Sequence, residues 1–196
     1  GSLDAVPKLV ERLGLIETAG QRCRTIAQKL LSFSRRDDEE RVPVDLRAVV
    51  DESLELVAAT LRRGRVAVTT RIYQPLPKIL GSKTQLQQVL INLVNNAAYA
   101  MPEGGDLTIT ARPGRGGCEL SVADSGGGID PGVLDRIYEP FVTTKPAGDG
   151  TGLGLSIVYG LVQNHGGEIR VDSRVGEGTT FVVWLPSSAE SDPHYA

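Results

Sequence analysis

Apolar residues recur at steps of three and four along residues 5–36, a spacing that places them on one stripe of a helix. The stripe consists of Leu9, Leu13, Ile16, Cys23, Ile26, Leu30 and Phe33. Because one helix cannot bury such a stripe alone, we expect residues 9–33 to pair with a second copy of the chain, giving a homodimer, or with another helix. The charged residues 35–41 and Pro43 predict where this helix ends.

Two further amphipathic segments carry recognisable helix start signals. Asp45 stands at an N-cap position before a second apolar-periodic run. Ser82 and Gln85 have the spacing of a capping box and open a helix that runs to about Ala100. Between these two helices, residues 66–72 alternate between apolar and polar positions, which predicts a strand.

The second half of the chain alternates strands with helices, and its strands pair as hairpins. Predicted strands are 107–112, 118–124, 168–172 and 180–185, and predicted helices are 131–137 and 152–165. This order predicts an α+β fold: a two-layer α/β sandwich whose mixed, largely antiparallel sheet is covered by helices on one face. The predicted regions are a long helix in residues 1–42, a domain in residues 43–186 and a polar tail in residues 187–196.

Composition narrows the functional classes. The net charge of -3 gives no reason to expect a nucleic-acid partner. Cys23 and Cys118 are far apart and fit no metal-ligand or redox-motif spacing, which favours a reducing, cytoplasmic setting. No apolar run is long enough for a membrane span, so we expect no membrane contact by this segment. Of the 23 glycines, 18 lie between Gly104 and Gly178, which predicts sharp turns or a ligand site lined by backbone there.

Polar residues within this region suggest chemistry. Asn92 and Asn96 are four apart, so their side chains project from one helix face and are able to orient a hydrated Mg²⁺ with its phosphates; the alternative is a pair of solvent-facing amides. Asp124 follows a strand and precedes glycines, so its carboxylate is suited to accept a hydrogen bond from an exocyclic amine, although aspartate and glycine also make ordinary turns.

Two glycine-rich segments and a loop follow. Residues 150–155 open a helix, whose first N–H groups and dipole favour phosphate, and they lack the lysine of a Walker A loop. Residues 138–145 combine aromatic side chains, two hydroxyls and Lys145, a composition that suits a lid whose apolar end packs down and whose Lys145 reaches phosphate. Residues 176–181 have a hairpin turn as their simplest interpretation.

Taken in order, these segments resemble the conserved boxes of one family. Residues 92–97 resemble an N box, 124–129 a G1 box, 140–145 an F region, 150–155 a G2 box and 176–181 a last glycine box. The sequence is similar to the catalytic domain of bacterial two-component sensor histidine kinases of the nitrogen-regulator type. These belong to the superfamily that includes gyrase B, Hsp90 and MutL, and the resemblance implies their Bergerat-type ATP-binding fold.

The resemblance also implies roles for individual residues. Asn92, Asn96 and Lys145 would be catalytic, and Asn96 would bind Mg²⁺. Asp124 would contact the adenine amine, helped through water by Thr179, and residues 129–152 would form a mobile lid. The full ATP-binding set that the resemblance implies is Asn92, Asn96, Tyr99, Asp124, Gly126, Gly128, Ile129, Phe141, Thr143, Thr144, Lys145, Gly150, Thr151, Gly152, Leu153, Gly154, Leu155 and Thr179.

The implied activity is transfer of the ATP γ-phosphoryl group to a histidine, for relay to an aspartate of a response regulator. Hydrolysing relatives carry a glutamate where Asn92 stands, and an amide is no general base, so direct hydrolysis should be slow. No acceptor box is present: we expect His165 to be structural and His194 inert.

Residues 5–36 resemble the second helix of a dimerisation hairpin, so we expect the acceptor helix to precede this segment in a longer protein. A membrane anchor would lie in another segment of that longer protein. We therefore expect this chain to bind ATP and not to phosphorylate itself. The alternatives are a non-catalytic nucleotide-binding regulatory module and an anti-sigma-type serine kinase of the same superfamily.

Overall fold

A computed structural model of the chain describes residue 20 and residues 41–146 and 150–188. The chain divides into two compact units, Gly1–Glu39 and Glu40–Ala196, and all described residues except Gly20 lie in the second. Several predictions lie outside the described residues: the helix at 5–36 apart from Gly20, the dimer contact through 9–33, Cys23, His194, and residues 189–196 of the tail.

The second unit alternates short strands with helices. Its elements are β1 (Val42–Val44), α1 (Leu46–Arg63), β2 (Val66–Ile72), β3 (Ile79–Gly81), α2 (Lys83–Ala100), β4 (Gly105–Gly114), β5 (Gly117–Asp124), α3 (Pro131–Leu134), α4 (Gly154–Asn164), β6 (Glu168–Arg174) and β7 (Gly178–Pro186). Within the described residues, no helix is long and apolar enough to cross a membrane.

Five strands form one sheet in the order β2-β4-β5-β7-β6. β2 pairs with β4 in parallel, and the other three pairs are antiparallel, which confirms the mixed, largely antiparallel sheet. Leu107, Ile109 and Ala111 alternate along β4 and are fully buried, as expected when one sheet face packs against helices. The predicted two-layer α/β sandwich is therefore confirmed.

Both predicted helix start signals are used. The Asp45 side chain accepts a hydrogen bond from the Arg47 N–H at 2.8 Å. The Ser82 hydroxyl accepts one from the Gln85 N–H at 3.2 Å. Each bond satisfies a backbone donor that the first helical turn leaves unpaired, which fixes where α1 and α2 begin.

Some boundaries differ from the predicted ones. β1 and β3 pair antiparallel in a separate two-stranded ribbon, which has no sequence signal because each strand has only three residues. α4 begins at Gly154 and not at residue 152, because Gly152 has a φ of 65°, which a right-handed helix cannot contain. α3 ends at Leu134 and not at residue 137.

His165 connects the end of α4 to the start of α2. Its Nε2 accepts a hydrogen bond from the Ser82 N–H at 3.2 Å, and its Nδ1 lies 2.8 Å from the Leu161 carbonyl oxygen. Because a carbonyl only accepts, Nδ1 carries the proton and the ring is neutral. The side chain is 4% exposed. These contacts give His165 the structural role expected from the sequence.

Candidate nucleotide-binding site

Asp124 is the last residue of β5 and lies half-buried at the strand end. Its carboxylate accepts a hydrogen bond from the Gly126 N–H at 2.9 Å and another from the Thr179 backbone N–H. Burial raises the pKa of the Asp124 carboxyl above its ordinary value, while the two N–H donors act in the opposite direction. The carboxylate therefore has fixed orientation and oxygen lone pairs left for a ligand donor.

Asp124 belongs to a row of polar residues that crosses three neighbouring strands. Thr179 on β7 is the partner of Asp124 on β5, and Ser173 on β6 is the partner of Thr179. The Ser173 hydroxyl lies 2.9 Å from the Thr179 hydroxyl and accepts a hydrogen bond from the Ile129 N–H at 2.9 Å. We call Asp124, Thr179 and Ser173 the polar row. Strand register alone brings the three side chains to one place.

Ser173 is not among the residues predicted from the sequence. A weak signal does exist, because Ile169, Val171 and Ser173 occupy alternating, less exposed positions of β6. The Ser173 hydroxyl occupies the third inward-facing position of this series. Its importance can be recognised only when β6 is known to pair with β7.

Glycines allow the chain after Asp124 to pass close to its neighbours. A Cβ added to Gly126 would lie 2.7 Å from the Ala100 carbonyl oxygen. Gly128 has a φ of 72°, and a Cβ there would lie 2.1 Å from the Arg174 carbonyl oxygen. The G1 segment therefore lies against the β6–β7 turn with no room for side chains at these two positions.

A second group of residues lies where α2 meets the start of α4. A Cβ added to Gly154 would lie 3.9 Å from Asn96 Nδ2 and 4.0 Å from Asn92 Oδ1. Both amides therefore face the first turn of α4, whereas Asn95 between them is exposed. The Asn92 Nδ2 donor is buried and has no hydrogen-bond partner among the described residues. That is unusual for a buried amide and suits a ligand acceptor.

Lys145 is brought to the same place from the loop. Its Nζ donates a hydrogen bond to Asn96 Oδ1 at 3.3 Å and lies 4.0 Å from the centre of the Tyr99 ring. The structure thus unites Asn96, Tyr99 and Lys145, three predicted site residues from two segments. We call Asn92, Asn96, Lys145 and Gly154 the amide cluster.

The loop between α3 and α4 packs differently from the sequence expectation. Tyr138 does pack inward: its ring centre lies 5.3 Å from that of Tyr159, and burial raises its hydroxyl pKa to about 12. Phe141, by contrast, is 63% exposed and has a φ of 68°. Its N–H donates to the Gly152 carbonyl oxygen at 2.9 Å, so its backbone is fixed although its ring is not buried. The expected inward packing is therefore wrong for Phe141.

The remaining predicted residues line the rest of this loop and the start of α4. The Lys145 N–H donates to the Thr143 hydroxyl at 3.1 Å, and a Cβ added to Gly150 would lie 2.6 Å from that hydroxyl. Thr144 is exposed, Leu153 is buried, and Leu155 is partly buried. Residues 147–149 of the predicted lid lie outside the described residues.

The start of α4 has the character of an anion site. Among the described residues, no side chain caps this helix at Leu153, and the Thr151 hydroxyl accepts a hydrogen bond from the Leu153 N–H at 3.4 Å. The positive end of the helix dipole therefore points at the space beside the amide pair. Among the described residues, no group of three or more histidine, cysteine, aspartate or glutamate side chains forms a metal cluster. A cation here would need ligand phosphates to complete its coordination.

Comparison with known proteins identifies the family of this chain. Residues 81–189 match the family of histidine kinase-, DNA gyrase B- and HSP90-like ATPases, and the chain belongs to that family. It is 37% identical over 165 residues to the sensor histidine kinase ZraS of Escherichia coli strain K12, a match that covers 84% of this chain and 35% of ZraS. The chain spans between 20% and 36% of the length of the first three curated sensor kinases that it matches.

Solved structures point to the same part of such kinases. The catalytic domain of histidine kinase ThkA is similar over 79% of this chain and 100% of that domain, with 31% identity and a TM-score of 0.70. Full-length ShkA in complex with AMPPNP is similar over 90% of this chain and 38% of ShkA, with 30% identity and a TM-score of 0.75. ThkA in complex with the response regulator TrrA matches 94% of this chain and 53% of ThkA, with 28% identity and a TM-score of 0.74.

Proposed function

We propose that this chain is the ATP-binding catalytic region of a sensor histidine kinase. In the whole protein it transfers the γ-phosphoryl group of ATP to a histidine for relay to a response-regulator aspartate. The observation that carries the proposal is the approach of Gly154 to both Asn92 and Asn96, which sets a helix start with no side-chain cap from the described residues against two amides. This combination suits phosphate bound with a divalent cation.

The polar row is proposed to bind the adenine base. The Asp124 carboxylate already accepts two backbone N–H bonds, and its remaining lone pairs accept from the exocyclic amine. Thr179 is its cross-strand partner and adds a hydroxyl beside it. An acceptor held this firmly orients the base at little further cost in conformational entropy.

The amide cluster is proposed to hold the phosphates and Mg²⁺. Asn96 Oδ1 already faces a cation, the Lys145 ammonium, so the position is suited to a positive charge. The Asn92 Nδ2 donor, which has no hydrogen-bond partner in the described part of the chain, is suited to a phosphate oxygen. Bound Mg²⁺ supplies electrostatic stabilisation of the transferring phosphoryl group. Lys145 serves the same group by moving from Asn96 to phosphate.

The acceptor histidine is proposed to come from outside the described residues. His165 is unsuited because it is buried and both of its ring nitrogens are engaged. We propose that residues 9–33, which lie outside the described residues, belong to a dimerisation hairpin whose other helix carries the acceptor. A receiver domain is the proposed next partner, as the ThkA complex contains a response regulator.

Phosphotransfer is tested with a longer protein that includes the segment preceding residue 1, incubated with γ-labelled ATP and Mg²⁺. We expect acid-labile phosphohistidine. The Asn96→Ala variant should lose the label because its amide oxygen is the proposed metal ligand. Asn95→Ala is the matched control, since it removes an exposed amide from the same turn of α2 and should keep the label.

Other outcomes would select other functions. A longer protein that binds ATP but never becomes labelled would be a regulatory nucleotide-binding module. A label stable to acid would point to a serine kinase. Persistent labelling of Asn96→Ala would contradict the proposed metal ligand while leaving the adenine site unaffected.

A further inference from the structure

The Ser173 hydroxyl takes part in three hydrogen bonds at the inner end of β6. It accepts from the Ile129 N–H at 2.9 Å. It donates to the Gly178 carbonyl oxygen at 3.1 Å. It also lies 2.9 Å from the Thr179 hydroxyl oxygen, a contact in which either oxygen has the geometry to donate.

The direction of that third bond follows from counting protons. A serine hydroxyl has one proton and two acceptor lone pairs. A carbonyl oxygen cannot donate, so the contact with Gly178 uses the Ser173 proton. The Ile129 N–H uses one lone pair. One lone pair then remains for Thr179, so Thr179 donates its proton to Ser173 and turns its own lone pairs elsewhere.

We propose that Ser173 is a positioning residue that sets base specificity by holding the Thr179 hydroxyl as a hydrogen-bond acceptor. Thr179 stands opposite the carboxylate of Asp124, which is itself only an acceptor when ionised. Facing the 6-position of a bound purine, Asp124 and Thr179 would both act as acceptors. Two acceptors at that position favour a 6-amino group, which donates, over a 6-oxo group, which only accepts. This inference rests on the proposed ATP site and deepens it.

The physical reason is a mismatch of lone pairs. A 6-amino group donates hydrogen bonds to acceptors, directly or through water. A 6-oxo group places its own lone pairs against those acceptors and leaves buried groups without partners, and a site built for hydrogen bonds discriminates strongly against such a ligand. Without Ser173, the Thr179 hydroxyl is released to turn and donate to the oxo group. Loss of Ser173 should therefore relax specificity and not only weaken binding.

The test measures dissociation constants of Mg-ATP and Mg-ITP for this chain, because the two nucleotides differ only in the 6-position of the base and the adjoining N1 proton. The wild type should bind ATP more tightly. In Ser173→Ala the ratio of the ITP to the ATP constant should fall by about five- to tenfold, the effect of one hydrogen bond. Thr179→Val, which removes the same hydroxyl at nearly unchanged shape, should lower the ratio similarly.

A double variant separates specificity from general damage. Ser173→Ala in the Thr179→Val background should leave the ratio unchanged, because Ser173 acts through the Thr179 proton. Thr180→Val is the matched control: it removes a hydroxyl from the next position of β7, on the opposite sheet face, and should keep the wild-type ratio. Ser173→Cys keeps the side-chain size with a poor acceptor and serves if Ser173→Ala does not fold.

Two results would overturn the inference. Equal weakening of ATP and ITP binding in Ser173→Ala or Ser173→Cys would reduce Ser173 to a structural residue. A further loss of discrimination in the double variant would show that Ser173 acts by another route. By contrast, a folded wild type that binds neither nucleotide would contradict the proposed ATP site itself.

Discussion

The polar row and the amide cluster differ in how completely their hydrogen bonds are made without a ligand. In the polar row, Asp124 accepts two backbone N–H groups, and Ser173 uses its proton and both lone pairs. In the amide cluster, the buried Asn92 Nδ2 donor has no partner among the described residues. Lys145 bridges to Asn96 from a loop at 3.3 Å, a long hydrogen bond.

The difference follows from the elements that carry the two groups. Strand register fixes the polar row, because β5, β7 and β6 are neighbours with many ladder bonds. The amide cluster joins one helix to a loop and to the first turn of another helix. The polar row is therefore preorganised, because its hydrogen-bond donors and acceptors are fixed before a base binds. The amide cluster still has a buried donor that we expect a bound phosphate and cation to engage.

The largest expected effect is on the backbone beneath the polar row. Gly128→Ala adds a Cβ 2.1 Å from the Arg174 carbonyl oxygen at a φ of 72°. Because both backbones must shift, we expect a loss of about 3 kcal/mol in the free energy of unfolding, measured by urea denaturation. Gly127→Ala is the control, with no atom within 4 Å of the added Cβ, and should change little. Equal stability of the two variants would contradict the packing of the G1 segment.

Next in size is the loss of the Asp124 carboxylate. Asp124→Ala removes the base acceptor and leaves the Gly126 and Thr179 N–H groups without it, so we expect ATP affinity to fall about 100-fold. Adenosine affinity should fall as well, because the lost contact is to the base. Asp106→Ala removes an exposed carboxylate at the start of β4 and should be neutral. Titration calorimetry with both ligands measures this, and unchanged affinity in Asp124→Ala would remove the adenine assignment.

A smaller and more selective effect is expected from Gly154→Ala. Its Cβ would occupy the space between α4 and the amide pair, 3.9 Å from Asn96 and 4.0 Å from Asn92, without a clash. We expect ATP affinity to fall about tenfold from crowding of the phosphates. Adenosine affinity and the melting temperature should stay unchanged. If adenosine binding falls equally, the phosphates do not lie at the amide cluster.

The smallest effect concerns pH. Because burial raises the pKa of Asp124 in the folded state, its contribution to stability is fully present below the pKa of the unfolded chain and is lost as pH rises through the folded-state pKa. Because its pKa is raised, the Asp124 carboxylate, which is the form proposed to bind the amine, becomes protonated at a higher pH than an ordinary aspartate does. The ratio of the ATP affinities of wild type and Asp124→Asn should therefore fall as pH is lowered from neutral, since titration of ATP itself cancels between them. A constant ratio would contradict the acceptor role of the carboxylate.

Much of the fold was predictable because its signals are local. Asp45 and Ser82 mark helix starts by capping, and the alternation along β4 and β5 marks a hairpin. The same holds for Asn92 and Asn96, since helical spacing alone puts both on one face. Signals of this kind are lacking in β1 and β3, whose pairing joins residues such as Val42 and Gly81 that are distant in sequence.

The sequence by itself thus determined the helices, the strands of the five-stranded sheet, the two-layer class and most of the side chains available to the site. The tertiary structure decided which groups meet. It brings Lys145 to Asn96 and Tyr99. It also packs Tyr138 inward while Phe141 faces solvent, and it places Ser173 beside Thr179. The physical reason is that strand order and loop path place residues by long-range pairing and packing, which leave no periodicity in the chain. The proton direction at Thr179 is the clearest case, because it depends on atoms contributed by three separate segments.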